Sequence, residues 1–334
     1  MSIETRGFGP DDTQVSLLGF GCGAVGGLMV RGSTNDQEYA IARAIDVGIN
    51  YFDTAVRYGD GASELHLGSM LAKLGAKNAL VGTKVGLRPA EFGGIAAAVT
   101  ASLNGSLRSL RRDHVDIFHL HNAITLSGGG ESLSVRQVLE EVVPSFQALR
   151  AAGKIRLLGL TAIGETAALR QVIDTGLFGS AQIPYNMLNP SAGSALPSDY
   201  PAQDYGQLFE NTRRARVGVI GIRVLAGGAL SGSAHRHAIA SPEPEPIGSA
   251  LSYKTDLKRA ARLMPLVTEG FAESLSEAAI RFAIASPMMG TILVGMASVD
   301  EFEVALAAVL KGPLPAVALQ RVAELTAVFA GEDR

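Results

Sequence analysis

The chain has 334 residues, of which 47% are hydrophobic and 18% are charged, so it can bury a large core. Its formal net charge is −3, with neither a basic stripe nor an acidic tail, which argues against nucleic acid and against an anionic membrane as partners. Cys22 is the single cysteine and the N-terminus lacks a signal-peptide pattern, so we expect no intrachain disulfide and a cytoplasmic location.

Eight short apolar runs alternate along the chain with longer segments of helical periodicity. Most of these runs are continuously apolar, which is typical of strands that are covered on both faces. The residues before the first run predict a short hairpin that plugs one end of the fold. The predicted strands span residues 17–20, 49–53, 80–83, 115–120, 157–161, 181–184, 218–222 and 292–294.

Helical spacing of apolar residues follows most of these strands. Two later helices have capping-box signals, Ser274 with Glu277 and Ser298 with Glu301, each directly before an apolar run. The other predicted helices span residues 37–47, 64–74, 95–110, 135–151 and 165–174.

This alternation predicts an α/β fold, a (β/α)8 TIM barrel that forms a single domain over residues 1–334. Residues 1–16 are its expected N-terminal cap segment, and residues 316–334 are its expected C-terminal helix. Long connections follow strands 4, 6 and 7, at residues 122–134, 186–203 and 224–252. Barrels carry their chemistry at the carboxyl ends of the strands, so we expect these loops to border the functional site.

A glycine-rich loop follows the first strand. Gly21 to Gly26 spell G-x-G-x-x-G, which alone would indicate a Rossmann dinucleotide fingerprint. The context is against that interpretation, because the acidic residue about twenty positions further on, Asp46, lies in a helical segment instead of at a strand end. A flexible first loop is favoured, in which Gly23 lets the backbone approach a cofactor.

Four polar side chains fall at or just after the ends of strands two, three and four: Asp53, Tyr58, Lys84 and His121. We expect them to converge, since the carboxyl ends of barrel strands share one face. Tyr58 can donate a proton to a developing alkoxide, and a nearby Lys84 ammonium is expected to lower the pKa of the phenol. Asp53 would pair with Lys84, and His121 would orient a carbonyl oxygen. The set predicts carbonyl reduction by a bound nicotinamide.

His119 and His121 also form an H-x-H pair on one strand, a pattern that can bind a metal. A metal-dependent hydrolase needs further ligands at other strand ends, whereas the remaining histidines fall in predicted helices or loops. We therefore expect no metal site, and His119 is expected inside the barrel, one layer below His121.

Ordered segments along nearly the whole chain resemble the aldo-keto reductase superfamily. They read LGFGCGAVGG, AIDVGINYFDTAVRYGDGASELHLGSML, LVGTKVG, VDIFHLHN, GKIRLLGLTAIG, AQIPYNML, VGVIGIRVLAGGALSG and TILVGMASVDEFEVAL. Asp53, Tyr58, Lys84 and His121 match the family tetrad position by position. The resemblance implies an NAD(P)-dependent oxidoreductase that transfers hydride reversibly between nicotinamide and an aldehyde, ketone or sugar carbonyl. Tyr58 would be its general acid or base.

The resemblance also implies where the cofactor binds. Gln182 matches the family's glutamine at strand six, while Thr161 and Ala162 stand in place of its Ser-Asn pair. Ile222 and Arg223 stand in the region of an aromatic ring that often stacks on the nicotinamide. The implied cofactor-binding residues are Gly23, Thr161, Gln182, Ile222, Arg223, Leu225, Gly227, Gly295, Ala297 and Glu301.

The choice between NADP and NAD depends on Glu301. A carboxylate there would repel the 2′-phosphate of NADP and could accept from a 2′-hydroxyl, which leans toward NAD. The same residue is the capping-box partner of Ser298, so both cofactors stay open.

The expected partner is a small-molecule carbonyl or alcohol. The chain contains no tryptophan, which favours a smaller or more polar substrate such as a sugar. The alternative function is a nicotinamide-binding regulatory subunit with little turnover, although the intact tetrad favours an enzyme. The residues leave both a monomer and a homo-oligomer open.

Overall fold

The computed structural model of the chain describes residues 2–333. Its strands are β1 (Thr5–Phe8), β2 (Thr13–Ser16), β3 (Leu18–Gly21), β4 (Tyr51–Asp53), β5 (Leu80–Val85), β6 (Val115–Leu120), β7 (Ile124–Thr125), β8 (Leu133–Ser134), β9 (Ile155–Thr161), β10 (Ser180–Pro184), β11 (Gly218–Ile222) and β12 (Met289–Gly295). Strands β3 to β6 and β9 to β12 pair in parallel, and β12 pairs with β3 to close an eight-stranded barrel. The predicted (β/α)8 fold is confirmed.

Helices surround the barrel and cover the outer faces of its strands. In the helix that follows β9, Leu169, Val172 and Ile173 recur at helical spacing, and all three are buried. The α-helices are α1 (Leu28–Arg31), α2 (Thr34–Asp46), α3 (Ala62–Lys73), α4 (Ile95–Leu110), α5 (Val135–Gln137), α6 (Val143–Ala151), α7 (Thr166–Asp174), α8 (Leu208–Ala215), α9 (Tyr253–Ala261), α10 (Pro265–Thr268), α11 (Leu275–Ile284), α12 (Val299–Leu310) and α13 (Ala316–Ala327).

The fourth predicted helix, residues 135–151, is interrupted. A π-helical turn (Val138–Val142) separates α5 from α6. Pro144 lies just after this turn and has no backbone N–H to donate to the preceding turn, so an α-helical ladder cannot run through unbroken. Both capping-box helices begin as predicted, because the hydroxyl oxygens of Ser274 and Ser298 accept from the backbone N–H groups of Glu277 and Glu301.

Strand β4 begins two residues later than predicted. The side chain of Asn50 accepts from the backbone N–H of Ser16 at 2.8 Å and donates to the carbonyl oxygen of Gln14 at 2.9 Å. Asn50 is therefore tied to β2 of the N-terminal hairpin, and the regular pairing of β4 starts at Tyr51.

The N-terminal cap segment is a hairpin, as expected. Strands β1 and β2 pair antiparallel, with Phe8 opposite Thr13. Phe8 is buried and belongs to an apolar cluster inside the barrel with Tyr51, Ile117 and Leu157. The hairpin therefore plugs the end of the barrel where the strands begin, and the carboxyl ends are left for the functional site.

The C-terminal helix is shorter than the predicted 316–334. It ends at Ala327, and the residues that follow bind the loop after β10. The backbone N–H of Gly331 donates to the carbonyl oxygen of Asp199 at 3.0 Å, and Arg259 donates to the carbonyl oxygen of Asp333 at 2.7 Å. Because of these contacts, the chain does not continue as a helix beyond Ala327.

The long connections after β6 and β11 contain short elements of their own. The first holds the pair β7 and β8, and the second holds a 3-10 turn (Ala226–Ser231) and α9. None of the helices within residues 2–333 combines the length and the hydropathy that a bilayer span requires.

Candidate active site

The four predicted polar residues meet at the carboxyl end of the barrel. Asp53 ends β4, Lys84 lies near the end of β5, and His121 directly follows β6. The strand register sets Asp53 opposite Gly82 and Lys84 opposite His119, so Lys84 lies two residues beyond the partner of Asp53, and His121 lies two residues beyond the partner of Lys84.

Lys84 and Asp53 form a buried ion pair. The ammonium donates to Oδ1 of Asp53 and to the carbonyl oxygen of Thr54, the latter at 2.8 Å. Burial lowers the pKa of Lys84, but the charge of Asp53 and the Tyr58 phenol raise it, and the net direction is upward. The lysine is therefore a cation at neutral pH, and removing Asp53 would leave that charge buried without its counter-ion.

Tyr58 lies against this pair. Nζ of Lys84 is 4.9 Å from the centroid of the Tyr58 ring, and the His121 ring meets the Tyr58 ring edge-on at 5.9 Å. Burial raises the pKa of the phenol, whereas the charges of Lys84 and Arg223 lower it. Lys84 acts on the phenol in the expected direction, but burial prevails and the net pKa of Tyr58 is raised. Tyr58 is a neutral phenol with a proton to donate.

His121 is held neutral. Burial, together with the charges of Lys84 and Arg57, lowers the pKa of its imidazole from 6.5 to about 3. Its Nδ1 is buried and has no hydrogen-bond partner among residues 2–333. His119 lies inside the barrel as expected, with Nε2 3.2 Å from the hydroxyl of Ser180.

Asp53 has two further partners that the sequence did not suggest. Its Oδ2 accepts from the Tyr51 hydroxyl at 3.0 Å and from Nε2 of Gln182 at 2.6 Å. Gln182 was assigned to the cofactor, and its side chain also contacts the tetrad. Tyr51 escaped notice because an aromatic residue within an apolar strand is usually part of the packing.

A cavity of about 500 Å³ opens between the loop after β11 and the start of α12. Five of the ten predicted cofactor-binding residues line it: Arg223, Leu225, Gly227, Gly295 and Glu301. The cavity is also lined by residues that sequence reasoning missed, among them Ser231, Ser233, His235, Arg236, Ser276 and Asp300. A serine- and histidine-rich stretch after the LAGGALSG segment was the available signal for several of them.

The other five predicted cofactor-binding residues do not line this cavity. Thr161 and Gln182 are register partners in β9 and β10, at the mouth of the barrel. Ile222 is partly buried and packs against the apolar cluster inside the barrel, and its contact with a nicotinamide stays a prediction. The backbone N–H of Ala297 donates to Glu301, and the space beside the α-carbon of Gly23 is open.

Two features fit a dinucleotide. The hydroxyl oxygen of Thr161 is buried without a hydrogen-bond partner among residues 2–333, as expected of a group that waits for a ligand. The cavity is lined by hydroxyl and cationic side chains and also by aliphatic ones such as Ile280 and Val304. A ligand that combines anionic groups with a flat apolar ring matches this composition.

Glu301 lies at the helix start and lines the cavity, but its carboxylate does not complete the predicted capping box with Ser298. Its Oε2 accepts from the backbone N–H of Ala297 at 2.6 Å, at the start of α12, and the residue also lines the cavity. Glu301 therefore accepts from a backbone N–H at the helix start and also forms part of the cavity wall.

The glycine-rich loop after β3 is not a Rossmann turn. A Cβ atom at Gly26 would lie 2.3 Å from the backbone nitrogen of Met296, so glycine is needed for the close approach of two chain segments. Val25 and Gly26 border the cavity, whereas Gly23 does not, and the approach of this loop to a cofactor stays a prediction.

Residues 17–327 match the model of the Aldo/keto reductase family. The chain belongs to this family. It is 29% identical to L-galactose dehydrogenase from Arabidopsis thaliana over 92% of the chain and 88% of that protein. It is 28% identical to D-threo-aldose 1-dehydrogenase from a Pseudomonas species over 49% of the chain and 55% of that protein.

Solved structures share the fold. The holo form of an aldo-keto reductase from Bacillus halodurans superposes with a TM-score of 0.71 and 24% identity, over 97% of this chain and 96% of that one. The family and its dehydrogenase and reductase members make this chain an NAD(P)-dependent oxidoreductase that interconverts carbonyl and hydroxyl groups. The matches give no support to the regulatory-subunit alternative.

Proposed function

We propose that the chain oxidises or reduces a small sugar-like substrate, with Tyr58 as the group that exchanges a proton with the reacting oxygen. The observation that carries the proposal is a neutral phenol next to a buried Lys84–Asp53 pair and a neutral His121. A phenol in this setting can donate its proton, and the adjacent ammonium stabilises the phenolate that remains.

In the direction of reduction, the Oη–H of Tyr58 donates to the carbonyl oxygen of the substrate. Lys84 keeps its proton and stabilises the new phenolate, and Asp53 holds Lys84 in place. His121, as a neutral imidazole, hydrogen-bonds the same substrate oxygen and orients it. In the direction of oxidation, the phenolate of Tyr58 removes the hydroxyl proton. A bound nicotinamide supplies or accepts the hydride.

The residues that would hold this cofactor follow from the fit. Thr161 and Gln182 would bind its carboxamide at the barrel mouth. Arg223 and the backbone around Gly227 would bind its phosphates. Glu301 would bind its adenosine ribose, and a carboxylate there favours NAD over NADP, since it repels a 2′-phosphate.

The substrate class rests on two arguments. Relatives of this chain are named for L-galactose and for a D-threo-aldose. The chain lacks tryptophan, so bulky apolar walls of that kind are unavailable to its pocket. We therefore propose an aldose as substrate. The cytoplasmic location and the absence of a nucleic-acid partner stay predictions.

The test is a Tyr58→Phe variant. It should lower kcat by roughly a thousandfold, because general acid catalysis contributes about 10²–10⁴-fold, while NADH binding followed by fluorescence stays within about twofold. Tyr39→Phe, which changes an exposed tyrosine in α2, is the matched control. Turnover at the control level in Tyr58→Phe would refute the assigned role.

A further inference from the structure

The Asp53 carboxylate is held from below as well as from the side. Lys84 occupies Oδ1, while the Tyr51 hydroxyl and the Gln182 amide both donate to Oδ2. Tyr51 is only 1% exposed and precedes Asp53 by two residues on β4, so its phenol lies deeper in the barrel than the Asp53 carboxylate.

Glycines on both neighbouring strands make the room for Tyr51. A Cβ atom at Gly82 of β5 would lie 2.3 Å from the Tyr51 hydroxyl oxygen, and one at Gly19 of β3 would lie 2.9 Å from its ring carbon Cδ1. Any other residue at either position would have to displace the ring. The barrel interior therefore contains a slot that fits this phenol in a single position.

We propose that Tyr51 is a positioning residue for the proton transfer: its hydroxyl fixes the rotation of the Asp53 carboxylate, so that Oδ1 stays on Lys84. This inference rests on the proposed role of Tyr58. The Tyr51 hydroxyl donates to a lone pair of the buried Asp53 carboxylate that would otherwise have no hydrogen-bond partner. Without it, Asp53 keeps only Gln182 on Oδ2 and can turn away from Lys84.

Tyr51 is suited to this position because it does not titrate itself. Burial and the Asp53 charge raise the pKa of its phenol well above 10, so it stays a donor at every pH at which the enzyme works. Its ring packs in the apolar cluster of the barrel interior with Phe8 and Leu293. A hydrogen bond in such surroundings is stronger than one in water.

Loss of the Tyr51 hydroxyl would affect Tyr58 by changing the pKa of Lys84. The Asp53 charge is one of the causes that raise the pKa of Lys84. A carboxylate that can rotate away raises the pKa of Lys84 less. The ammonium of Lys84 is then lost at a lower pH. The alkaline limb of the pH profile of kcat, measured for carbonyl reduction, reports this loss.

The experiment is a Tyr51→Phe variant of the full chain, which keeps the ring and removes one oxygen. We expect kcat to fall about tenfold and its alkaline limb to move about one pH unit lower, since one pKa unit is a tenfold change in a protonation equilibrium. The dissociation constant of NADH, measured by fluorescence without substrate, should stay within about twofold, because Tyr51 lies outside the proposed cofactor residues.

Tyr200→Phe is the matched control. Tyr200 is also buried, and its hydroxyl donates to the carbonyl oxygen of Leu188 at 3.0 Å, so this variant loses an equivalent bond away from Asp53. Its alkaline limb should stay at the wild-type pH. A wild-type kcat and limb in Tyr51→Phe, or equal shifts in both variants, would overturn the inference.

Gly82→Ala tests the slot in a second way. The added methyl group should displace the Tyr51 hydroxyl and move the limb in the same direction, and it should have a smaller effect in the Tyr51→Phe background. Independent, additive effects of the two changes would contradict the slot. Tyr58→Phe distinguishes the two proposals. If Tyr58→Phe retains turnover, the proposed function fails. If Tyr58→Phe loses turnover while turnover in Tyr51→Phe is normal, only this inference fails.

Discussion

Glu301 shows how one side chain can belong to a helix and to a binding cavity. Its Oε2 bonds the backbone N–H of Ala297, while the residue forms part of the cavity wall beside Asp300. Two carboxylates at this end of the cavity favour a ligand with hydroxyl groups there over one with an extra phosphate.

Glu301→Arg should therefore reverse the cofactor preference. The ratio of NADPH affinity to NADH affinity should rise at least about tenfold, which corresponds to roughly 1.4 kcal/mol, because a repulsion is replaced by an attraction. Fluorescence titration with each cofactor measures this ratio. Glu303→Arg is the control, since it adds the same charge to the same helix at a residue that pairs with Arg43 outside the cavity. An unchanged ratio in Glu301→Arg would remove Glu301 from cofactor selection.

At the scale of elements, the start of α12 combines stability with function. The Ser298 hydroxyl accepts from the backbone N–H of Glu301 and fixes the first turn of the helix. This turn carries Asp300 and Glu301 into the cavity wall. A helix that frays at its first turn would lose both the cap and the alignment of these carboxylates.

Ser298→Ala should lower the free energy of unfolding by about 1 kcal/mol, the usual cost of removing an N-cap hydroxyl, and should also weaken cofactor binding. Ser33→Ala is the matched control. Ser33 caps α2 with the same type of bond, from the backbone N–H of Asp36, so its loss should cost similar stability but leave cofactor binding unchanged. Urea unfolding and cofactor titration of both variants make the comparison, and equal binding in the two would contradict the coupling.

At the scale of the whole molecule, stability depends on two neutral imidazoles. Burial lowers the pKa of His119 well below 6.5 and lowers that of His121 to about 3. Between the ordinary value and these depressed values, the unfolded chain binds more protons than the folded chain. The stability contributed by the neutral rings is therefore complete above about pH 6.5 and is lost as the pH falls through that window.

The free energy of unfolding of the wild type should fall steadily from pH 6.5 toward pH 3. His121→Gln removes one of the groups and should show a shallower fall, whereas His114→Gln, at an exposed histidine next to Asp113, should follow the wild type. Denaturant unfolding at several pH values gives the slopes. Parallel curves for wild type and His121→Gln would show that His121 contributes nothing to the acid sensitivity.

Much of this arrangement was predictable from the sequence. Continuous apolar runs indicated barrel strands, and the polar residues Asp53, Lys84 and His121 stood out where those runs end. The contact of Gln182 with Asp53 was not predictable, because 129 residues separate the two and only the closure of the barrel joins them. The role of Tyr51 was not predictable for a related reason. Its hydroxyl reaches Asp53 only because glycines on the adjacent strands leave space for the ring.

The cavity was predictable only in part. The resemblance to the family implied Gly227 and Glu301 as cofactor-binding residues, and the capping motif located the helix start that carries Glu301. Another part of the cavity wall, which includes His235 and Arg236, comes from a loop without periodicity, held by long-range bonds such as that from Arg31 to the carbonyl oxygen of Ile239. No local sequence pattern predicts which backbone carbonyl oxygen accepts from an arginine that is far away in the sequence.

Phe8 and Tyr51 both lie in the apolar cluster at the hairpin end of the barrel, where they are 2% and 1% exposed. Because apolar side chains fill this end, we expect a ligand bound at the mouth to slow the exchange of water and protons at the tetrad. Truncation of Phe8 should then speed that exchange without altering a catalytic side chain.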